Sequence, residues 1–458
     1  MPVAIKYAEP QDQSREQELA GFNSERQQRT RAYNKAMDYY LGKQKRILER
    51  KDGEPDDNVI LNLIQLTADR TVNFIFPSMP KFELDTNNTD TNPQEEWISQ
   101  AFEHNGGLNT LQKMALIGFL GGHVYIRVKP PRYDDVNDTY AKFFLLDPSQ
   151  MITYWKADDI EYVLWHEQRF KIGEDEFIID FVNNGDSWEI IEYAKTSNSN
   201  TWEKTNKGSK WNHKEGPIVH WQHLPLPSSF YGLNEARDLE LQDTLNLIVG
   251  EMARIVRYHS TPRTVIFGVA GEEVQETGID KMWSVDNTDA RIENLEMQSE
   301  LVPARELALY LQDTYLAMRR VVILRGEVKD FQRVTNTGVR TVFMDMLAKR
   351  NILIRQYSKG LQTLAHIMQL VSSQDTSVLP VITNIDPLPL DEREAVEVGA
   401  LKVQNFLTSR ETVNADLDQV WSNESMKMQK EAELNFLAPK MPMFGASSDK
   451  ETVDEEEG

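Results

Sequence analysis

The chain has 458 residues, 40% hydrophobic and 27% charged, enough for a sizeable globular core and, by length, about two to four domains. The absence of cysteine excludes a disulfide framework and thiolate metal sites and fits a reducing cytoplasm. A net charge of −22 argues against a simple binder of phosphate backbones. No apolar run approaches a membrane span, and Met1 to Gly21 has no basic start followed by a hydrophobic signal core, so neither secretion nor membrane insertion is expected.

In chain order, residues 1–21 read as a flexible polar lead. A helix is predicted from Phe22 to about Leu41, with Tyr33, Met37, Tyr40 and Leu41 on its apolar side and Gly42 as its stop. Lys51 to Asp57 is a turn-rich link. A second helix runs from Val59 to about Phe74, on the pattern of Ile60, Leu63, Ile64, Thr67 and Ala68, and ends before Pro77 and Pro80. Leu84 to Pro93 reads as loop. Glu95 to His104 and Leu108 to Phe119 are two further helices, joined at Gly106-Gly107 and closed by Gly121-Gly122.

Six short segments rich in aromatic and β-branched residues follow: His123–Val128, Lys142–Asp147, Ile152–Trp155, Ile160–Trp165, Glu176–Val182 and Trp188–Tyr193. Their close spacing predicts antiparallel pairing. Ser197 to Lys214 reads as a mobile loop, and Ile218 to His223 as a last strand.

The stretch from Tyr231 to Met368 organises the rest. A helix from Asn234 to about Tyr258 carries Leu241, Leu245, Ile248, Met252 and Ile255 at steps of four, three, four and three, a seam that needs a partner helix. A second helix from Pro303 repeats the spacing with Ala304, Leu307, Leu311, Tyr315, Met318 and Val322 and can run back antiparallel. Each would be roughly 30 to 36 Å long. Between them, Ser260 to Leu301 reads as a small α/β module: strand Arg263–Phe267, a short helix from Glu272 to Gly278, and strands around Met282–Val285 and Arg291–Met297.

Arg325 to Gly338 is a predicted loop that opens a long helix from Val339 to about Val371, striped with Val342, Met346, Leu353, Tyr357, Leu361, Leu364 and Met368, where Gly360 invites a bend. After a proline-marked break at Asp386–Leu390, helices are predicted over Glu392–Phe406 and Ser425–Leu437. Asp449–Gly458 reads as a disordered acidic tail.

Charge is unevenly distributed. Arg319 to Lys359 holds ten basic residues against three acids, a balance of +7 that leaves −29 on the rest of the chain. Arg26 to Lys51 holds nine basic residues against Asp38 and Glu49. Either stretch alone also suits a solvated helix face.

Enzymatic chemistry finds little footing. No Gly-rich loop ends in Lys-Ser/Thr, so ATP-driven work is not expected. His220 and His223 fall on opposite faces of a strand with no clustered ligand, which favours packing over metal. Trp188, Trp202, Trp211 and Trp221 could stack on bases, but core or interface roles are simpler. Neither a cofactor nor a metal is expected, and the chain reads as no enzyme.

The order of parts resembles the portal proteins of tailed bacteriophages, of the siphophage type. Phe230-Tyr231-Gly232-Leu233-Asn234 leading into Leu239-Glu240-Leu241-Gln242-Asp243-Thr244-Leu245-Asn246 is similar to the family's turn and helix start. Asp38-Tyr39-Tyr40-Leu41-Gly42 resembles its Tyr-Tyr-x-Gly signature. The helix, α/β insert, helix order resembles a stem interrupted by a clip. Asn336-Thr337-Gly338-Val339-Arg340 stands where the tunnel loop meets a long bent helix, although Arg340-Thr341 replaces the small and apolar residues common there. Asp386-Pro387-Leu388-Pro389, followed by Phe406-Leu407-Thr408-Ser409-Arg410-Glu411-Thr412, is similar to the segment joining wing to crown.

The resemblance spans roughly Phe22 to Leu437 and implies an α+β portal fold assembling as a ring, usually of twelve subunits, at one capsid vertex of a virion put together in the host cytoplasm. It implies a wing at 22–232, stem helices at 233–259 and 303–328, and a clip at 260–302. A tunnel loop and long wing helix at 329–385, a crown at 386–437 and an acidic tail at 438–458 complete the chain. Double-stranded DNA would pass through without sequence reading, and no membrane is involved. The implied partners are the terminase large subunit, a head-tail adaptor, and the major capsid and scaffolding proteins. The clip would dock partners through residues such as Arg263, Val265, Phe267, Ile279 and Trp283. Lys329, Arg333, Asn336, Thr337, Val339 and Arg340 would face DNA.

The physics agrees with such a conduit. Twelve copies at −22 each carry −264, a field that discourages sticking, while a small basic belt could steer phosphates. The alternative for Arg340 and its neighbours is bridging between subunits. Two rival classes are a structural capsid or connector ring without DNA contact, and a metal-dependent nuclease, which the missing ligand cluster disfavours.

Overall fold

A computed structural model of the chain describes residues 7–10, 20–49, 56–84, 92–131, 139–156, 158–197, 201–205, 208–260, 263–267, 291–295, 301–323, 336–388, 392–405, 413 and 428–429. It is a mixed helix and sheet structure that divides into two compact units, Met1–Pro387 and Leu388–Gly458. Among the described residues no helix is long and apolar enough to cross a membrane.

Among the described residues the first unit begins with the helices α1 (Ala20–Tyr40), α2 (Leu63–Ile75), α3 (Pro93–His104) and α4 (Gly107–Gly121). Local chemistry sets their ends. Asn62 and Asn92 cap α2 and α3 with side chains that accept from Gln65 and Gln94 backbone N–H groups. α1 stops at Gly42 (φ +76°), with the Lys43 N–H on the Asp38 carbonyl and the Gly42 N–H on the Tyr39 carbonyl, a left-handed C-cap that glycine supplies without strain. Leu41 and Ile60, predicted on apolar faces, lie beyond these ends and are exposed.

Three strands, β2 (His123–Lys129), β3 (Lys142–Leu146) and β10 (Ile218–Gln222), form an antiparallel sheet in the order β10-β2-β3. A six-stranded antiparallel sheet holds β4 (Met151–Lys156), β5 (Asp159–Ile172), β6 (Asp175–Asn183), β7 (Trp188–Lys195), β8 (Glu203–Lys204) and β9 (Ser209–Trp211). Antiparallel pairing is as predicted. β5 runs seven residues past its predicted end at Trp165, because Gly173 (φ +63°) turns the hairpin at that distance. The predicted loop at Ser197–Lys214 instead supplies β8 and β9: Trp211 is buried opposite Trp188, and its Nε1 donates to the Glu215 carbonyl. One short pair, β1 (Lys81–Glu83) with β13 (Val381–Thr383), has no counterpart in the sequence reading, since three residues each are too few to show alternation.

Two helices then pair: α5 (Leu239–Ser260) and α6 (Leu301–Met318). Leu239 and Leu245, near the start of α5, share a core cluster with Tyr315 and Leu316, near the end of α6, so the two run antiparallel. Between them β11 (Arg263–Phe267) pairs antiparallel with β12 (Arg291–Leu295). The predicted short helix and the strand at 282–285 lie outside the described residues. α5 begins at Leu239 rather than Asn234 because Asp238 (φ +56°) interrupts the helical path.

Past α6, α7 (Asn336–Val342) is followed, after Phe343, by α8 (Met344–Val371). Most of the predicted loop at 325–338 lies outside the described residues, but helix begins at Asn336, three residues before the predicted start. α8 runs through Gly360 without a break. There a Cβ would come within 2.3 Å of the Trp221 ring, so this glycine gives room for packing.

The main core gathers α8, β2 and α4 around Leu353, Tyr357, Leu361, Leu364, Met114 and Val124. Trp188, Trp211 and Trp221 are buried and Trp202 packs against the second sheet, which favours their core reading over base stacking. The predicted flexible lead is anchored at Tyr7, whose hydroxyl donates to Asp180 Oδ2 (2.9 Å) and meets the Tyr193 hydroxyl (3.0 Å). In the second unit the described helix is α9 (Glu392–Gln404). The helix predicted over Ser425–Leu437, apart from 428–429, and the acidic tail lie outside the described residues.

Candidate functional site

The α5/α6 pair is a column with a foot, and the foot is held by polar chemistry. Tyr39 donates to Asp243 (2.7 and 2.9 Å) and Tyr40 to Asp69 (3.0 Å), so the paired tyrosines grip α5 and α2 respectively. Gln242 and Asn246 are buried on α5. Asn246 donates to Gln44 (2.6 Å) and accepts from the Leu61 N–H (3.0 Å), while Gln242 donates to the Leu61 carbonyl and to Asn246. Further along, Asp57 takes Arg254 (3.2 Å) and Arg257 (2.7 Å), tying the column to the segment before α2. A buried polar network of this kind fixes position more than it adds stability.

Beside the foot a second network joins α8 to the segment leading into α5. Glu235 accepts from buried Lys349 through one carboxylate oxygen, and its Oε1 lies 2.9 Å from His223 Nε2. His223 Nδ1 lies 2.9 Å from the Tyr357 hydroxyl, and Lys349 also donates to Thr71 Oγ1 (3.1 Å) and the Arg319 carbonyl (3.0 Å). Burial pushes the Glu235 carboxyl up, but the His223 hydrogen bond and the Lys349 charge pull harder and hold it below the usual range. Burial lowers the Lys349 ammonium against the raising effect of Glu235. Next to this network lies a recess of about 580 Å³ whose lining includes Arg237, Asp238, Met318, Arg319, Arg320 and Ile352.

The predicted seam is met in part. Leu245 and Tyr315 are buried, Leu241 and Leu311 pack against the same cluster, and Ile248, Met252 and Ile255 are half-buried. Leu307 and Met318 are corrections: they are 48% and 55% exposed. The face of α6 that meets the core is rotated toward Ala308, Tyr315 and Leu316. The apolar arc of α6 is therefore wider than α5 covers. Leu307, Tyr310, Thr314 and Met318, at steps of three, four and four, form an outer stripe, with Tyr310 67% exposed.

The basic stretch is largely occupied within the chain. Arg319, Lys349 and Arg350 are buried, with Arg350 donating to the Phe74 carbonyl (2.7 Å) and the Ile385 carbonyl (2.5 Å). Arg340 is half-exposed and pairs with Asp386 at 2.5 Å. Asn336 and Thr337 sit in the first turn of α7 and Val339 is half-buried in it. Lys329 and Arg333 lie outside the described residues, as do Ile279 and Trp283. Arg263, Val265 and Phe267 are on β11. The polar clamp on α5 and the Glu235 network were missed by sequence reasoning. The visible signal was Gln242 and Asn246, four residues apart on an apolar helix.

Solved structures that match this chain include parts of gene transfer agent (GTA) particles. The neck of an empty GTA particle, computed with C6 symmetry, is 11% identical over 80% of this chain and 94% of that one, with a TM-score of 0.50. The neck of a native GTA particle, computed with C12 symmetry, is 12% identical over 78% and 88%, with a TM-score of 0.44. The virion of a native gene transfer agent particle is 11% identical over 84% and 99%, with a TM-score of 0.41. No curated protein matches the sequence. The family model described as phage portal protein, SPP1 Gp6-like, matches residues 21–434. With nearly its whole length matched, the chain belongs to the phage portal protein family of the SPP1 Gp6-like type.

Proposed function

We propose that the chain assembles as a ring of about twelve copies at one vertex of a virion capsid, where it forms the channel through which double-stranded DNA enters and leaves. In this reading α5 and α6 are the stem, the β11/β12 module is the clip that docks the terminase motor and later the head-tail adaptor, and 22–232 with 329–385 is the wing. Residues 386–437 are the crown. The role is structural, and the motor supplies the work.

One observation carries it: α6 buries one side against α5 and presents a second apolar stripe, Leu307, Tyr310 and Met318, to the outside of its own chain. A stripe on one side of a column that meets a different surface of the next copy makes a heterologous contact, and such contacts close into rings. The test is negative-stain imaging and sedimentation of the purified chain beside Leu307→Asp/Tyr310→Asp. The parent is expected as a rotationally symmetric particle with a central hole, and the double variant as a folded monomer. A parent that stays monomeric at high concentration refutes the reading.

A connector ring that never touches DNA is favoured by one finding, the engagement of Arg319, Arg340, Lys349 and Arg350 inside the chain. The packaging assay in the Discussion separates the two.

A further inference from the structure

The recess at the foot of the column has an unusual balance. Among the described residues its lining holds four positive side chains, Arg237, Arg319, Arg320 and Lys349, against two negative ones, Glu235 and Asp238. Glu235 is already engaged by Lys349 and His223. Arg237 and Arg320 are exposed and form no ion pair among the described residues. Arg319 is 5% exposed, its guanidinium lies 3.7 Å over the Tyr315 ring, and one nitrogen donates to the Arg237 carbonyl; its Nε and Nη1 have no hydrogen-bond partner among the described residues. A buried guanidinium left half-satisfied is a poor arrangement for an isolated chain.

The backbone adds an independent observation. Arg320 has φ +51° and is the left-handed residue of a helix C-cap: the Val321 N–H reaches the Leu316 carbonyl and its own N–H the Ala317 carbonyl. Glycine is the residue that this position takes without strain. Holding an arginine there keeps a cation at the rim against local backbone preference, the pattern of a position kept for binding.

We infer that this recess is a carboxylate-binding site, filled in the assembled ring by an acidic side chain of a second copy of this chain. Size and rim decide against a free anion. A phosphate displaces little more than two or three waters at about 30 Å³ each, whereas the recess is about 580 Å³ and its lining includes exposed Met318 and Ile352, which an inorganic ion would leave wet. An acidic side chain arriving on a protein surface brings apolar cover along with its charge. Charge complementarity points to the same occupant, because a chain of net −22 presents surplus carboxylates to its neighbour. Met318 also continues the outer stripe of α6, so the recess sits at the end of the surface assigned to the neighbour.

The inference rests on the ring reading above. Its test compares full-length parent, Arg237→Ala and Arg320→Gly by sedimentation velocity across a concentration and NaCl series, with melting of the dissociated chain as a second readout. Arg320→Gly is expected to leave the melting temperature of the dissociated chain unchanged or raised, since it relieves the left-handed arginine. The same variant should raise the concentration needed for half-assembly at least tenfold. Arg237→Ala is expected to weaken assembly in the same direction, and both should flatten the dependence on NaCl. A reconstruction of the parent ring is expected to show an Asp or Glu of the neighbouring copy within hydrogen-bond distance of Arg237, Arg319 or Arg320. Unchanged assembly in both variants overturns the inference alone, as does a recess occupied by a buffer anion or a DNA phosphate. A parent chain that never assembles overturns the ring reading and this inference with it.

Discussion

The histidines on β2, β5 and β10 carry the clearest pH signature. His123 and His166 are buried, and His220 packs 5.7 Å from His123 and 4.6 Å from Tyr125, ring to ring. Burial holds all three below their usual range, His166 at about 3, and the Arg29 charge pushes His123 and His220 the same way. Groups depressed in the folded state are protonated first in the unfolded chain. Stability is therefore complete above about pH 6.5 and falls as the pH drops toward 3, by roughly 2 kcal/mol for His166 by pH 5, with His123 and His220 acting in the same direction. Thermal melts of the dissociated chain at pH 7.5 and 5.0 should show the loss, and His166→Gln should flatten it. At the foot of the column, Lys349→Ala strands the Glu235 carboxylate and should cost about 3–5 kcal/mol in urea denaturation. Lys349→Met with Glu235→Gln should recover much of that. Neither group could be singled out from sequence, because Lys349 looks like one more residue in a basic run until Glu235, more than a hundred positions earlier, is brought against it.

At the level of elements, helices and strands long enough to show a period were legible, and their faces less so. The seam of α5 was visible because one partner covers it. The seam of α6 was misplaced by part of a turn, because apolar residues stand on both sides of Leu311 and the sequence does not say which of them α5 covers. Short pairs such as β1 with β13, and β8 and β9 in a polar stretch, leave no periodic trace and are held by strands that were already in place. The Gly360 contact belongs here as well: a glycine in a long helix suggests a bend, and the room it leaves for Trp221 shows only in the fold. Gly360→Ala should cost about 1–3 kcal/mol through overpacking, read as a lowered urea midpoint with an unchanged slope.

For the whole molecule, the family resemblance was carried by the order of weak motifs, and the structure gives two of them physical work. Tyr39 and Tyr40 clamp helices, and Tyr231-Gly232 passes so close to Gly122 that a Cβ on Gly232 would lie 2.5 Å from its carbonyl oxygen. The residues proposed to face DNA are not legible in the same way, since a basic residue at a surface and one inside a core look alike in a sequence. With Arg340 paired to Asp386, Arg333 is the better probe of DNA contact. Arg333→Glu should leave rings intact and reduce the DNA packaged or retained per particle severalfold, measured by nuclease protection. Normal filling would assign the channel to a passive wall.

The outer stripe of α6 has one further consequence. Greasy side chains at a helix surface tolerate small changes of tilt, and in the proposed ring of twelve the rotation between neighbours would need only to fall from about 30° to about 28° to admit a thirteenth copy. Stoichiometry is then a property of nucleation: the same polypeptide, overproduced by itself, should give a spread of circle sizes, and the capsid shell growing around it should select one.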